Sequence, residues 1–191
     1  MSGAIFRRAL GDDFARLSPQ LQEYFGAVGP VEAVGVFDEV GPRQPWLQPL
    51  WRFLERHGML FAEYGTDVPF EVSLLPVSRN TISTLRRIHF DRNVERVVAD
   101  TTREYDGRLI DAHARGRLLV EMVPRVLDGD FTLRSGRARL KLGAFTIPVP
   151  SPAVRLRQSY DERRARYTID LSVRVPLLGE VFGYRGTFTL R

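Results

Sequence analysis

From Pro69 to the C-terminus, apolar and polar residues alternate with a period of two, the pattern of strands buried on one face. Turn-forming residues interrupt it at Ser78-Arg79-Asn80, Asp106-Gly107, Asp128-Gly129-Asp130, Asp161-Glu162 and Leu178-Gly179-Glu180. Between these breaks the pattern predicts strands over Phe70–Val77, Thr81–Phe90, Val94–Glu104, Arg108–His113, Arg117–Val126, Phe131–Leu142, Ala153–Tyr160, Arg166–Val175 and Phe182–Leu190. Short consecutive strands joined by hairpin turns form an antiparallel meander. A sheet of so many strands curls, because twist accumulates and its edges need cover. The expected architecture is α+β, mainly β: a strongly curved antiparallel meander, either a half-barrel or a lipocalin-like barrel, covered by N-terminal helices.

The alternation also assigns faces. Tyr167, Ile169, Leu171, Val173 and Val175 point inward, and Phe182, Tyr184, Phe188 and Leu190 share one face, with Gly183 and Gly186 allowing a bend. Leu118 to Val123 is apolar at both parities, which predicts a strand covered on both sides, one of them sealed by the helices. Phe145 to Pro152 carries three prolines and reads as an extended connection between two strands.

The first quarter of the chain has a different period. Ile5, Phe6, Ala9, Leu10, Phe14, Leu17, Leu21, Tyr24 and Phe25 recur every three or four residues, which predicts two short helices broken at Gly11-Asp12-Asp13. Ser18-Pro19 supplies an N-cap with proline at the first helical position. Val31 to Phe37 reads as a short strand, and Pro45 to His57 as a further helix with Trp46, Leu47, Leu50, Trp51 and Leu54 on one face and Gly58 as its stop. The expected organisation is one domain over residues 1–191, with a helical cap over 1–60 and the sheet over 69–191.

Composition narrows the chemistry. The 191 residues contain no cysteine, which removes disulfides, thiolate metal sites and cysteine nucleophiles, and only three histidines, His57, His89 and His113. The net charge of +5 comes from arginine, Lys141 being the only lysine. Arginines are interleaved with acids, as in Asp161-Glu162-Arg163-Arg164, a pattern of self-paired surface that argues against nucleic acid as a partner. No signal peptide or apolar run of membrane-spanning length is visible, so a cytoplasmic protein without a membrane span is expected.

Three segments carry a resemblance: the opening Phe6-Arg7-Arg8-Ala9-Leu10-Gly11-Asp12-Asp13-Phe14-Ala15-Arg16-Leu17-Ser18-Pro19, the segment Ile147-Pro148-Val149-Pro150, and the closing Val175-Pro176-Leu177-Leu178-Gly179-Glu180-Val181-Phe182-Gly183-Tyr184-Arg185-Gly186. In this order they resemble the bacterial domain of unknown function 4166 family, the closing motif being the most specific. That family is found alone or behind a saccharopine-dehydrogenase-like NAD(P)-binding domain. The resemblance implies a fold and small-molecule metabolism, and no transferable reaction. The chain departs from the family in its centre, where Thr84-Leu85-Arg86-Arg87-Ile88-His89-Phe90 replaces a tryptophan-containing strand and Asp111-Ala112-His113 stands where a Glu-Arg pair is typical. If the central strands line a ligand site, the resemblance implies that this chain has altered it. No Gly-x-Gly-x-x-Gly follows a strand, so the nucleotide-binding domain is not expected here.

Candidate chemistry rests on carboxylates, tyrosines and histidines. Glu121 is flanked at its own parity by Leu119 and Val123, where burial would raise its pKa; the alternative is an ion pair with Arg137 or Arg139 across a hairpin. His89 shares a face with Arg87 and Asp91, and His113 one with Asp111; each is a candidate proton carrier or a surface residue. Glu121, His89 and His113 are therefore the catalytic candidates, and Arg87, Tyr160, Tyr167 and Tyr184 the ligand contacts. No metal and no cofactor is expected. The leading expectation is a small-molecule or lipid-binding domain with an apolar β-lined cavity. The alternatives are a cofactor-free isomerase or cyclase using that cavity and an interaction partner of a separate redox enzyme.

Overall fold

The computed structural model describes residues 3–56, 61–91, 94–113, 116–143 and 145–191. Helix α1 (Gly3–Leu10), a 3-10 segment (Gly11–Arg16) and α2 (Pro19–Gly26) precede β1 (Val31–Pro42); a second 3-10 segment (Pro45–Leu47) and α3 (Gln48–Arg56) follow it. The remaining strands are β2 (Gly65–Ser78), β3 (Thr81–Phe90), β4 (Val94–Tyr105), β5 (Arg108–His113), β6 (Leu118–Leu127), β7 (Asp130–Leu142), β8 (Phe145–Val149), β9 (Ala153–Asp161), β10 (Arg166–Val175) and β11 (Gly179–Leu190). Helix-stop residue Gly58 and His57 lie outside the described residues, as do the side chains of Leu50 and Leu54.

All strands but β8 join in one antiparallel ring, β1-β2-β3-β4-β5-β6-β7-β9-β10-β11, which closes on itself. The half-barrel alternative is corrected by two seams. β6 pairs with β7 from Leu118 opposite Leu140 to Leu127 opposite Asp130. β1 pairs with β2 on one side and β11 on the other, so closure satisfies edges that an open sheet would expose. β1 reaches Pro42 rather than ending at Phe37, because a bulge between Phe37 and Glu39 lets pairing with β11 continue past the break in alternation. At this seam a Cβ on Gly186 would stand 2.3 Å from the Val36 carbonyl oxygen, so only glycine lets the two strands approach as they do.

The segment expected as a plain connection forms a strand. β8 bonds to the far half of β7, Ala138 to Leu142, while β9 bonds to its near half, Phe131 to Arg134. β8 is therefore a spur outside the ring, a position that tolerates Pro148.

The helices cap the barrel instead of covering a sheet face. Arg8 ties α1 to the end of β4 and to the β2–β3 turn, donating from Nε to Glu104 Oε2 at 2.7 Å and from Nη2 to the Arg79 carbonyl at 2.9 Å. The Ser18 amide donates to the Gly129 carbonyl at 2.9 Å, in the β6–β7 turn. Ser18 does occupy the N-cap of α2, with Pro19 following, but its hydroxyl makes no capping bond. Phe6 and Phe25 then drop onto Phe131, with ring centroids 5.6 and 4.1 Å away, and Tyr24 meets Phe188 at 5.7 Å. Burying each such ring contributes about 2–3 kcal/mol. At the opposite end Trp51 of α3 and Phe61 pack on Phe182 at 6.1 and 5.2 Å. Leu119 and Val123, on the outer side of β6, are half-buried, and α1 and the Gly11–Arg16 segment both meet β6.

Candidate functional site

Inside the ring lies a cavity of about 360 Å³, walled chiefly by Ile, Leu, Val and Phe side chains from the strands, with Phe6, Tyr24 and Phe25 of the capping helices as its floor. One sector is polar. Thr84 and Arg86 of β3, Asp100 and Thr102 of β4, and Asp111 and His113 of β5 all occupy inward positions of three neighbouring strands. Register explains the grouping. Thr84 stands opposite Asp100 and Thr102 opposite Asp111, so the alternation of each strand projects these side chains to the same side. Across the ring the facing strands contribute Leu156, Ile169, Leu171 and Val173, a wall that is apolar apart from Gln158 of β9.

Within the polar sector Arg86 Nη1 donates to Asp100 Oδ2 in an ion pair whose side chains are 23% and 10% exposed. Burial pulls the Arg86 guanidinium down, but the charge of Asp100, with Tyr184 and the Asp100 hydrogen bond, outweighs it and holds Arg86 above its ordinary value. The Thr102 hydroxyl donates to Asp111 Oδ1 at 2.7 Å, while Oδ2 has no hydrogen-bond partner among the described residues. Burial, reinforced by the charge of Asp100, pushes the Asp111 carboxyl up to about 6, against the opposing pull of Thr102, His113 and Arg86. Tyr24 and Tyr184 are raised by burial, Tyr24 to about 12, with the Gln158 side chain and Arg86 opposing for Tyr24 and Arg86 for Tyr184. Both phenols therefore remain protonated donors at neutral pH. A carboxylate that titrates near neutrality beside a fixed ion pair can accept a hydrogen bond or a proton from a guest molecule.

Of the residues singled out from the sequence, His113 and Tyr184 line this cavity. Glu121 does not: it lies at outward parity between the lining residues Val120 and Met122, and it accepts from Arg108 Nη1 at 2.8 Å rather than from Arg137 or Arg139. His89 is also turned outward, 3.5 Å from Glu95, because the inward parity of β3 belongs to Ile82, Thr84, Arg86 and Ile88. Arg87 is exposed for the same reason. Tyr167 and Tyr160 pack beneath α2 instead of lining the lumen: Tyr167 stacks on Phe188 at 5.1 Å and donates to the Gln20 carbonyl at 3.2 Å, and Tyr160 meets it edge-on at 5.0 Å.

The sequence reading misses Arg86, Asp100 and Thr102, and it names Asp111 only as the neighbour of His113. A signal existed in the alternation, since Arg86 shares parity with Ile82, Ile88 and Phe90, and Asp100 with Val94 and Val98. A charge at an inward position is costly unless it is paired, which makes it a marker of function or of an internal ion pair. Among the described residues no group of three histidine, aspartate or glutamate side chains is placed to hold a metal, and no helix is long and apolar enough to cross a membrane.

A family model described as "Domain of unknown function (DUF4166)" matches residues 17–188. The chain is also 26% identical over 185 residues to a Bacillus subtilis protein described as "Uncharacterized protein YndH", covering 90% of each.

Proposed function

We propose, from the premise that this chain belongs to the DUF4166 family, that it binds one small, mostly apolar molecule inside its barrel and holds that molecule's hydrogen-bond-donating group, a hydroxyl or an amine, at Asp111. The observation that carries this reading is the asymmetry of the lumen: about 360 Å³ of largely apolar space with its charged groups gathered on β3, β4 and β5. That volume is within the range of small-molecule sites, and such sites join an apolar wall to a few placed polar groups. Arg86 and Asp100 neutralise each other, so the free valence of the sector is Asp111 Oδ2, an acceptor. Tyr24 and Tyr184 supply neutral donors for a second polar atom of the guest.

A second reading is supported by Asp111 and His113 sharing the lumen. A carboxyl poised near 6 is matched to moving a proton at neutral pH, which would make the site a cofactor-free isomerase or cyclase centre acting on the same guest.

Native mass spectrometry of protein purified from its source organism tests the binding reading. A retained organic mass in one-to-one ratio, released by organic solvent and lost in a variant with a filled lumen, is the expected result. An unliganded protein that also takes up no apolar amine or alcohol in titration contradicts it.

A further inference from the structure

The β7–β8 spur is amphipathic in a way unrelated to the lumen. Directly opposed residues of an antiparallel pair share a face, so Leu142 with Phe145 and Leu140 with Ile147 form one apolar face, and Lys141 with Thr146 and Arg139 with Pro148 form the other. Beyond the rim this apolar face is exposed: Leu142 is 53% and Phe145 76% exposed. Between Asp130 and Asp161 the sequence contains no acid and six basic residues, in contrast to the interleaved charges elsewhere. Arg137, Arg139 and Lys141 of the spur make no ion pair among the described residues. At its root Glu121 lies against Gly136 and is already engaged by Arg108.

Unpaired cations flanking exposed leucine and phenylalanine at a hairpin tip fit a surface that is anionic outside and apolar beneath. Nucleic acid would use the cations and leave Leu142 and Phe145 in water. We infer that the spur docks this protein on anionic lipid bilayers, with Leu142 and Phe145 entering the acyl boundary and Arg137, Arg139 and Lys141 meeting the headgroup phosphates. The Lys141 amide donates to the Arg117 carbonyl at 2.7 Å, which places the tip beside the rim where β5 ends and β6 begins. The inference stands on the spur and does not depend on what the lumen holds.

Sedimentation with phosphatidylcholine–phosphatidylglycerol vesicles, against pure phosphatidylcholine vesicles, tests it on the full chain. Binding is expected to the mixed vesicles only and to be released by salt. Each of Arg139→Gln and Lys141→Gln is expected to weaken it roughly fivefold, and Phe145→Ser by roughly tenfold, with the melting temperature retained because these side chains are solvent-exposed. Absence of vesicle binding, equal binding to both vesicle types, or full binding by Phe145→Ser overturns the inference. So does a DNA duplex competing the protein off the mixed vesicles at equal phosphate concentration while binding Phe145→Ser unchanged.

Discussion

Arg86 on β3 and Asp100 on β4 form an ion pair inside the barrel, diagonal to one another across two neighbouring strands and facing an apolar wall. Removing one partner strands the other. Arg86→Met is expected to destabilise the fold by about 3–5 kcal/mol, with Asp100→Leu similar. The double variant should recover most of that loss, since an apolar pair leaves no unpaired charge. Urea unfolding of the three variants measures this coupling, and additive losses would contradict it.

Asp111 gives the protein a pH-dependent stability with a defined sign. Its carboxyl is raised from 3.8 to about 6 by burial, so the folded state holds the proton more tightly than the unfolded chain. The stabilisation from this group is full below 3.8 and is lost as pH rises through about 6. Relative to Asp111→Asn, the wild type should lose on the order of 3 kcal/mol across that window. Paired urea titrations of wild type and Asp111→Asn at several pH values check it, and parallel pH profiles would refute it.

Gly186 sets the distance between β1 and β11. A methyl group there would meet the Val36 carbonyl oxygen at 2.3 Å and the Phe37 Cα at 2.7 Å, both backbone atoms that cannot turn aside. Gly186→Ala is expected to cost roughly 3 kcal/mol or more, at the upper end of overpacking effects. Thermal unfolding reads this as a clear fall in melting temperature, whereas Gly107→Ala, at an open turn position, should fall by less.

Much of the barrel was legible because alternation is an attribute of each strand alone. β3, β5 and β10 begin and end where the pattern does. β1 and β2 extend beyond their readings because a bulge after Phe37 and a positive φ at Asp67 break the parity without breaking the pairing. Closure depends on β1 meeting β11 from opposite ends of the chain, which no local pattern encodes. The lumen was half legible for a related reason. Parity separates Arg86 from Arg87 and His89, and the histidine marks the outward face. The buried ion pair lay on the apolar face, where Arg86 and Asp100 compensate each other only through the register of β3 with β4. Thr84 to Phe90 and Asp111 to His113 supply Thr84, Arg86, Asp111 and His113 of the polar sector.

Phe25 closes the floor of the lumen, 3% exposed and 4.1 Å from Phe131. Phe25→Ala is expected to cost about 3–5 kcal/mol and to enlarge the cavity beneath the cap. Xenon or benzene uptake followed by nuclear magnetic resonance reports the enlargement, and unchanged uptake would place the ring outside the lumen's floor.

Occupancy of the lumen is tested most directly by titrating the full chain with N-phenyl-naphthylamine, an apolar amine whose emission rises when it leaves water. Wild-type protein should bind one molecule saturably; Leu171→Trp, which fills the apolar wall, should abolish that binding with the fold intact by circular dichroism; and Asp111→Leu should weaken it roughly tenfold. Absence of saturable binding, or equal affinity in the wild type and both variants, would contradict a ligand held inside the barrel at Asp111.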